Sequence, residues 1–222
     1  LNKDEKTKKI GIIDTTSATI ASLNALVKEK IPGAEVVNFL DDSILGDMRD
    51  GHDVEFVRER WISYARTLEK LGADAVLSAC STVGEFAEEA DKLLEIPVYR
   101  IDEAMCEKAV ETGNVISVFA TLQSTLTPTV NLVERKASAA GKDVKINTVL
   151  VEGAYSALMD GHKEVHDAKI AQAVSEYLDS SDVIVLAQAS MASAVQADGA
   201  AGDKVLTSPA LGIEKLARDL EK

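Results

Sequence analysis

The chain has 222 residues, an apolar fraction of 46% and a net charge of −13. That length suits one large domain or two of about 100 residues each, and the acidic balance without a basic stripe argues against a nucleic-acid partner. No apolar run reaches the roughly 18 residues that a membrane-spanning helix needs. Residues 1–9 are charged and lack the apolar core of a signal peptide, and two cysteines make no disulfide framework. We therefore expect a soluble, cytoplasmic protein.

Strands and helices alternate along the first half of the chain. Short β-branched runs predict strands, and apolar residues at helical spacing predict helices between them. The predicted order is a strand at 10–13, a helix at 20–30, a strand at 34–40, a helix through Phe56, Ile62, Ala65 and Leu68 that ends at Gly72, and strands at 75–78 and 97–101. Continuous apolar strands alternating with helices are typical of a parallel sheet that is covered on both faces.

The second half repeats this order, with strands predicted at 115–120, 144–151, 183–187 and 204–207. Ile10–Thr15 matches Ile116–Thr121 in pattern, 106 residues later, and Asp74–Cys80 matches Asp182–Gln188, 108 residues later. We therefore predict an α/β fold of two pseudo-symmetric lobes, residues 1–112 and 113–222. Each lobe is expected to be a parallel sheet flanked by helices.

Cys80 is the main candidate for a reactive side chain. It follows the strand at 75–78 and opens a segment that begins like a helix. Because the first amides and the positive end of a helix dipole favour a thiolate, we expect the pKa of this thiol to lie below its ordinary value. The alternative is a small buried residue, which is how most unpaired cysteines behave. Cys106 lies inside a helical segment and is interpreted as a packing residue.

Hydroxyl and amide side chains follow the first and third strands of each lobe. At helix N-termini such groups form an anion site without Lys or Arg, so an acidic protein could still hold a carboxylate. Helix capping alone is the alternative. The candidates for substrate binding are Thr15, Thr16, Ser17, Ser81 and Thr82 in the first lobe, and Thr121, Ser124, Thr125 and Ser190 in the second.

Other kinds of site receive less support. No glycine-rich nucleotide-binding loop is present. His162 and His166 stand four residues apart, but the segment has no further clear ligand, so we expect no metal site. For His166 we expect an exposed position at a polar helix end.

Several motifs together resemble the aspartate/glutamate racemase superfamily, which includes hydantoin racemases, maleate isomerase and arylmalonate decarboxylase. They are Ile10–Ser17, Ser78–Thr82 and Ala120–Thr121, and the resemblance covers nearly the whole chain. Val151–Ala154 followed by Leu158–His162 looks most like the hydantoin racemase branch. The resemblance implies an active site between the lobes, in which two cysteines flank the α-carbon of a small carboxylate substrate and no cofactor takes part. A homodimer is the base-rate expectation.

The resemblance also implies roles for individual residues. Asp14 stands where glutamate racemase has a carboxylate that assists the first cysteine, and Ser81 and Thr82 match a carboxylate-binding pair. Gln188 stands where relatives have the second cysteine, and an amide cannot exchange a proton at neutral pH. Inversion by two thiols is therefore not available, and Gln188 is expected to hold a carboxylate or enolate oxygen while Cys80 acts as the single thiol.

Three functions follow as alternatives. The first is a cofactor-independent racemase or epimerase that acts on a small carboxylate or a related carbonyl compound. The second is a decarboxylase that uses Cys80 as its only proton donor. The third is a non-catalytic relative that binds a small anion. In the enzymatic alternatives, His162 is a candidate for the missing acid if its loop folds over the cleft.

Overall fold

The computed structural model describes residues 7–196 and 202–222. These residues form two compact units, the first made of the described residues up to Ile101 together with Ile213–Lys222, and the second made of those within Asp102–Gly212. Within the described part of the chain, no helix is both long and apolar enough to cross a membrane. Each unit is a four-stranded parallel sheet with helices on both faces.

The sheet of the first unit has the strand order β2-β1-β3-β4, and all three pairings are parallel. Its elements in chain order are β1 (Lys9–Asp14), α1 (Ile20–Lys30), β2 (Glu35–Leu40), α2 (Ser43–Asp50), α3 (Val54–Lys70), β3 (Ala75–Ser78), α4 (Gly84–Leu93) and β4 (Val98–Arg100). Single 3-10 turns at Ser17–Thr19 and Ser81–Val83 precede α1 and α4. The apolar central strands are buried on both faces, as is expected when right-handed crossover helices cover a parallel sheet.

The two faces of this sheet carry separate apolar cores. Ile13 and Val76 point to the face covered by α2, α3 and α4, where Trp61 is fully buried. Ile12 and Leu77 point to the opposite face, which α1 covers. This alternation along β1 and β3 decides which face each residue at the strand ends approaches.

The second unit repeats the arrangement, with strand order β6-β5-β7-β8 and parallel pairing throughout. Its elements are α5 (Glu103–Thr112), β5 (Val115–Ala120), α6 (Gln123–Ala139), β6 (Lys145–Leu150), α7 (Ala154–Met159), α8 (Lys163–Tyr177), β7 (Val183–Leu186), α9 (Ser193–Gln196), β8 (Val205–Thr207) and the start of α10 (Ser208–Leu220). Two 3-10 turns, Ala189–Ala192 and Gly202–Lys204, follow β7 and precede β8.

The unit boundaries differ from the predicted ones at 112 and 113. Met105 and Cys106 of α5 are fully buried in the core of the second unit, against β5 and α6. Ile213 and Leu216 of α10 are fully buried in the first unit, against β1 and α1. Helix α5 therefore belongs to the second unit and the buried part of α10 to the first. A simple division at residue 112 would assign them the other way round. The burial of Cys106 confirms its interpretation as a packing residue.

All eight predicted strands are present, within one or two residues of the predicted bounds. The expectation that Phe56 belongs to the apolar stripe of α3 is wrong, because the residue is 58% exposed and its ring packs beside the Arg60 guanidinium. The short helix α2 was not predicted, since Ile44 is its single fully buried residue and most of its remaining side chains are polar.

Candidate active site

The carboxyl ends of β1 and β3 form a natural binding position in the first unit. The chain leaves β1 toward β2 on one side and β3 toward β4 on the other, so the strand order reverses between these two neighbours. Ligands of open α/β sheets bind in the crevice at such a switch point. Asp14 and Thr15 lie at the end of β1, and Cys80 lies two residues beyond the end of β3.

Cys80 is held by hydrogen-bond donors from both sides of this crevice. The hydroxyls of Thr15 and Thr82 donate to its sulfur, as do the backbone amides of Thr82 and Val83. The two amides come from the 3-10 turn that leads into α4, which is the arrangement expected of a strand–turn–helix junction. Cys80 is 9% exposed.

The predicted lowering of the Cys80 pKa is wrong. Burial raises the pKa of this thiol above its ordinary value, and the four donors offset only part of that effect. Removing a thiolate from water costs more than these hydrogen bonds return, because desolvation penalises the charged form most strongly. The free protein therefore holds Cys80 as a neutral thiol at neutral pH, with donors already aimed at the sulfur.

Asp14 is fully buried and lies on the other face of the same sheet. Its Oδ2 accepts a hydrogen bond of 2.9 Å from Nδ2 of Asn38, and its Oδ1 is buried without a hydrogen-bond partner among the described residues. Burial raises the pKa of this carboxyl to about 6, while the Asn38 amide opposes that rise. Since Asp14 faces α1 and Cys80 packs in the α3 and α4 core, no described hydrogen bond joins the two side chains.

Thr121 and Gln188 occupy the equivalent switch point between β5 and β7. The backbone N–H and the hydroxyl of Thr121 donate to Oε1 of Gln188, at 2.6 and 2.8 Å. Because a backbone N–H can only donate, the amide must turn its oxygen toward Thr121 and its Nε2 away. Among the described hydrogen bonds none uses Nε2, so Gln188 presents a fixed donor. Thr15 and Cys80 stand at the corresponding positions of the first unit.

The remaining predicted hydroxyls fall into two groups. Thr16 caps the first 3-10 turn by accepting from the Ala18 amide at 3.3 Å, and Ser17 is exposed. Buried hydroxyl residues at the strand ends are Thr15, Ser81, Thr82, Thr121 and Thr125. Ser124 has a buried Oγ without a described partner in the first turn of α6, and Ser190 is half-buried after β7.

The two histidines occupy different environments. The His162 side chain is 65% exposed at the start of α8, with Nδ1 3.8 Å from a Glu164 carboxylate oxygen. The expectation of an exposed His166 is wrong, because His166 is fully buried and its Nδ1 lies 2.8 Å from Oδ1 of Asp167. Across residues 7–196 and 202–222, no group of three His, Cys, Asp or Glu side chains is arranged to hold a metal ion.

Sequence reasoning missed Asn38 and Asn24. Asn38 lies in β2 and links Asp14 to Asn24 on α1, whose Nδ2 donates to Asn38 Oδ1 at 2.8 Å. A lone amide among the apolar residues 36–40 was the available signal, because a buried polar side chain needs a polar partner nearby.

The chain is a duplicated α/β protein with polar side chains at the switch point of each sheet. A family model for Asp/Glu/Hydantoin racemases matches residues 10–216, and the chain belongs to that family. A comparison with curated proteins gives no sequence match.

Solved structures of racemases share the fold at low identity. A glutamate racemase from Bacillus anthracis is 16% identical with a TM-score of 0.76, and the match covers 98% of this chain and 83% of that one. An allantoin racemase from Klebsiella pneumoniae is 19% identical with a TM-score of 0.74, covering 97% and 88%. An aspartate racemase homologue from Pyrococcus horikoshii is 16% identical with a TM-score of 0.70, covering 97% and 100%.

Proposed function

We propose that this chain is a cofactor-independent isomerase, a racemase or epimerase, that acts on a small carboxylate or a related carbonyl compound through Cys80. Family membership supports the reaction type. The observation that carries the proposal is the sulfur of Cys80 at a switch point, with two hydroxyls and two amides donating to it. These donors favour a thiolate, which is the form that removes a proton.

In the proposed reaction the Cys80 thiolate removes the proton on the carbon next to the carbonyl group. The electron pair of the C–H bond moves toward the carbonyl oxygen and forms an enolate, and the sulfur becomes a neutral thiol. Return of a proton to the opposite face of that carbon gives the inverted product. Because burial favours the neutral thiol, the thiolate is a minor form at pH 7.

We assign to Gln188 the binding of a substrate oxygen atom. With its Oε1 fixed by Thr121, the amide offers Nε2 as a hydrogen-bond donor to a carboxylate or to the enolate oxygen. A fixed donor stabilises charge that develops during the reaction without having to reorganise. Thr82, Thr121 and the other strand-end hydroxyls are assigned to the substrate carboxylate.

Two groups are proposed for the proton that returns to the opposite face. The Asp14 carboxyl has a pKa of about 6 and an oxygen without a described partner, so it can exchange a proton near neutral pH. The exposed His162 imidazole is the second candidate, because its ring nitrogens can donate or accept a proton. Gln188 has no exchangeable acid–base proton in this range.

A decarboxylase is the second candidate, and the raised pKa of Cys80 favours it. Loss of carbon dioxide from a malonate-type substrate breaks a C–C bond and leaves its electron pair as an enolate. A neutral thiol can then give its proton to carbon, after which water reprotonates the thiolate. A thiol that is protonated at neutral pH is ready for this donor role.

The test compares Cys80→Ala and Cys80→Ser with the wild type on amino acids, hydantoins, maleate and malonates. Optical rotation reports inversion, and released carbon dioxide reports decarboxylation. Both variants should lose about 100-fold or more of the turnover, the range that a positioned acid–base group supplies. Cys106→Ala removes the other thiol, which is fully buried in the second unit, and should keep the activity if the variant folds. Equal turnover of Cys80→Ala and wild type would remove Cys80 from the reaction.

A further inference from the structure

A chain of hydrogen bonds leads from α1 to the end of β1 in the first unit. Asn24 Nδ2 donates to Asn38 Oδ1 at 2.8 Å, and Asn38 Nδ2 donates to Asp14 Oδ2 at 2.9 Å. Three different elements, α1, β2 and β1, supply the three side chains. The chain ends at the fully buried carboxyl of Asp14, whose Oδ1 has no described partner.

The direction of these bonds is fixed by chemistry. An ionised carboxylate only accepts, so Asn38 must turn its NH2 group toward Asp14 and its oxygen toward α1. Asn24 then occupies that oxygen and prevents the Asn38 amide from rotating. Oδ2 of Asp14 is therefore fixed, and Oδ1 is the oxygen available to exchange a proton.

Charged groups on the neighbouring elements are engaged elsewhere. Asp41, which follows β2, accepts from Ser43 and Tyr64 and pairs with Arg60. On the α1 and α10 side, Lys30 pairs with Glu214 and Lys215 with Asp219. The thiol of Cys80, beyond β3, is held by Thr15 and Thr82. Apart from burial, Asn38 is the one group that shifts the pKa of Asp14 in the described structure.

We propose that Asn38, supported by Asn24, is a positioning residue that holds Asp14 so that its Oδ1 exchanges a proton during turnover. This inference rests on the proposed function, because it assigns Asp14 a proton in that reaction. It predicts that the amide, by donating to the carboxylate, keeps Asp14 mostly ionised at neutral pH. The second unit has Ala120 and Thr148 at the positions of Asp14 and Asn38, so the arrangement belongs to the first unit.

The experiment follows the Asp14 carboxyl by carbon-13 NMR in the free protein, with Asp14→Asn to assign its signal. Asn38→Leu should raise the Asp14 pKa by about one unit, because one hydrogen bond to a charged group is lost. Asn24→Ala should raise it by less. Asn147→Ala is the matched control, since Asn147 lies on the edge strand β6 and donates to Ser117 in the second unit, and it should leave the Asp14 pKa unchanged.

The acid limb of the kcat/KM profile supplies the second measurement. In Asn38→Leu it should move to higher pH by the same amount as the NMR pKa, and agreement of the two supports the proposal. An unchanged Asp14 pKa overturns the positioning role, and a shifted pKa with an unmoved acid limb overturns the proton exchange. Failure of the proposed function is a separate result, namely wild-type turnover in Cys80→Ala, and the NMR titration needs no substrate.

Discussion

Burial and hydrogen bonding act in opposite directions on the Cys80 thiol. The four donors around the sulfur would lower its pKa, yet burial raises it above the ordinary value. Alkylation by a slow reagent in the free protein should therefore be weak at pH 7 and should accelerate only in the alkaline range. Thr15→Val removes one donor and should move that acceleration to still higher pH. Rapid alkylation of wild-type Cys80 at pH 7 would contradict the burial account.

The donor role of Gln188 leads to a second prediction at the residue scale. Gln188→Glu keeps an acceptor for Thr121 but replaces Nε2 with a negatively charged oxygen. We expect KM for a carboxylate substrate to rise about 10- to 100-fold, because a hydrogen bond to a charged group is lost and a like charge is added. Gln172→Glu adds the same charge on α8 and should leave KM unchanged. An unaltered KM in Gln188→Glu would remove the amide from substrate binding.

Residue positions were easier to predict than residue environments. The ends of apolar runs place Asp14, Thr15 and Cys80 at strand ends, because strand bounds follow from local pattern. The protonation state of Cys80 and the burial of His166 depend on packing by distant segments. The Asn38 contact with Asp14 depends on strand register, which a single sequence does not show.

At the scale of elements, close contact between β1 and α3 explains why residue 11 is glycine. A Cβ at Gly11 would lie 2.7 Å from a methyl carbon of Leu68 and 3.1 Å from its Cβ. Since Leu68 is fully buried, Gly11→Ala should push α3 from the sheet and cost about 1–3 kcal/mol of unfolding free energy. Gly46→Ala, within α2 and free of nearby atoms, should instead stabilise by about 0.5–1 kcal/mol. Denaturant unfolding measures the stability of both variants. Equal stability of Gly11→Ala and wild type would contradict the close contact between β1 and α3.

The last helix provides the second prediction at this scale. Leu216 of α10 is fully buried in the first unit, whereas Leu132 of α6 is 2% exposed in the second. Each change to Ala should cost about 2–5 kcal/mol. Hydrogen exchange should accelerate in β1 and α1 for Leu216→Ala, and in β5 and α6 for Leu132→Ala. Faster exchange of β5 in Leu216→Ala, with β1 unaffected, would contradict the assignment of α10.

The order of the secondary-structure elements was predictable from the sequence, but the sheet that each helix packs against was less so. The order of strands and helices follows from alternating apolar runs, and the repeat at about 107 residues predicts the duplication. The amphipathic helices α5 and α10 each have an apolar face, but that face does not specify which of two similar sheets it covers. The helix α2 escaped prediction because it is only eight residues long and Ile44 is its one fully buried residue.

For the whole molecule, Asp14 predicts a dependence of stability on pH. Its pKa rises from 3.8 to about 6 on folding, so the native state holds the proton more tightly. Stability from this group is complete below pH 4 and is lost as pH rises through 6, by about 3 kcal/mol. Asp14→Asn cannot ionise, so its unfolding free energy relative to wild type should increase between pH 4 and pH 7. A difference that stays constant with pH would contradict the raised pKa.

The account as a whole depends on proton exchange at the substrate α-carbon through Cys80. The most direct measurement is deuterium incorporation at that carbon in D2O, followed by proton NMR over the same panel of substrates. Inversion and decarboxylation both pass through the enolate, so both lead to α-deuterium. We predict incorporation with the wild type and with Cys106→Ala, and its loss with Cys80→Ala. Incorporation by Cys80→Ala at the wild-type rate would contradict the account.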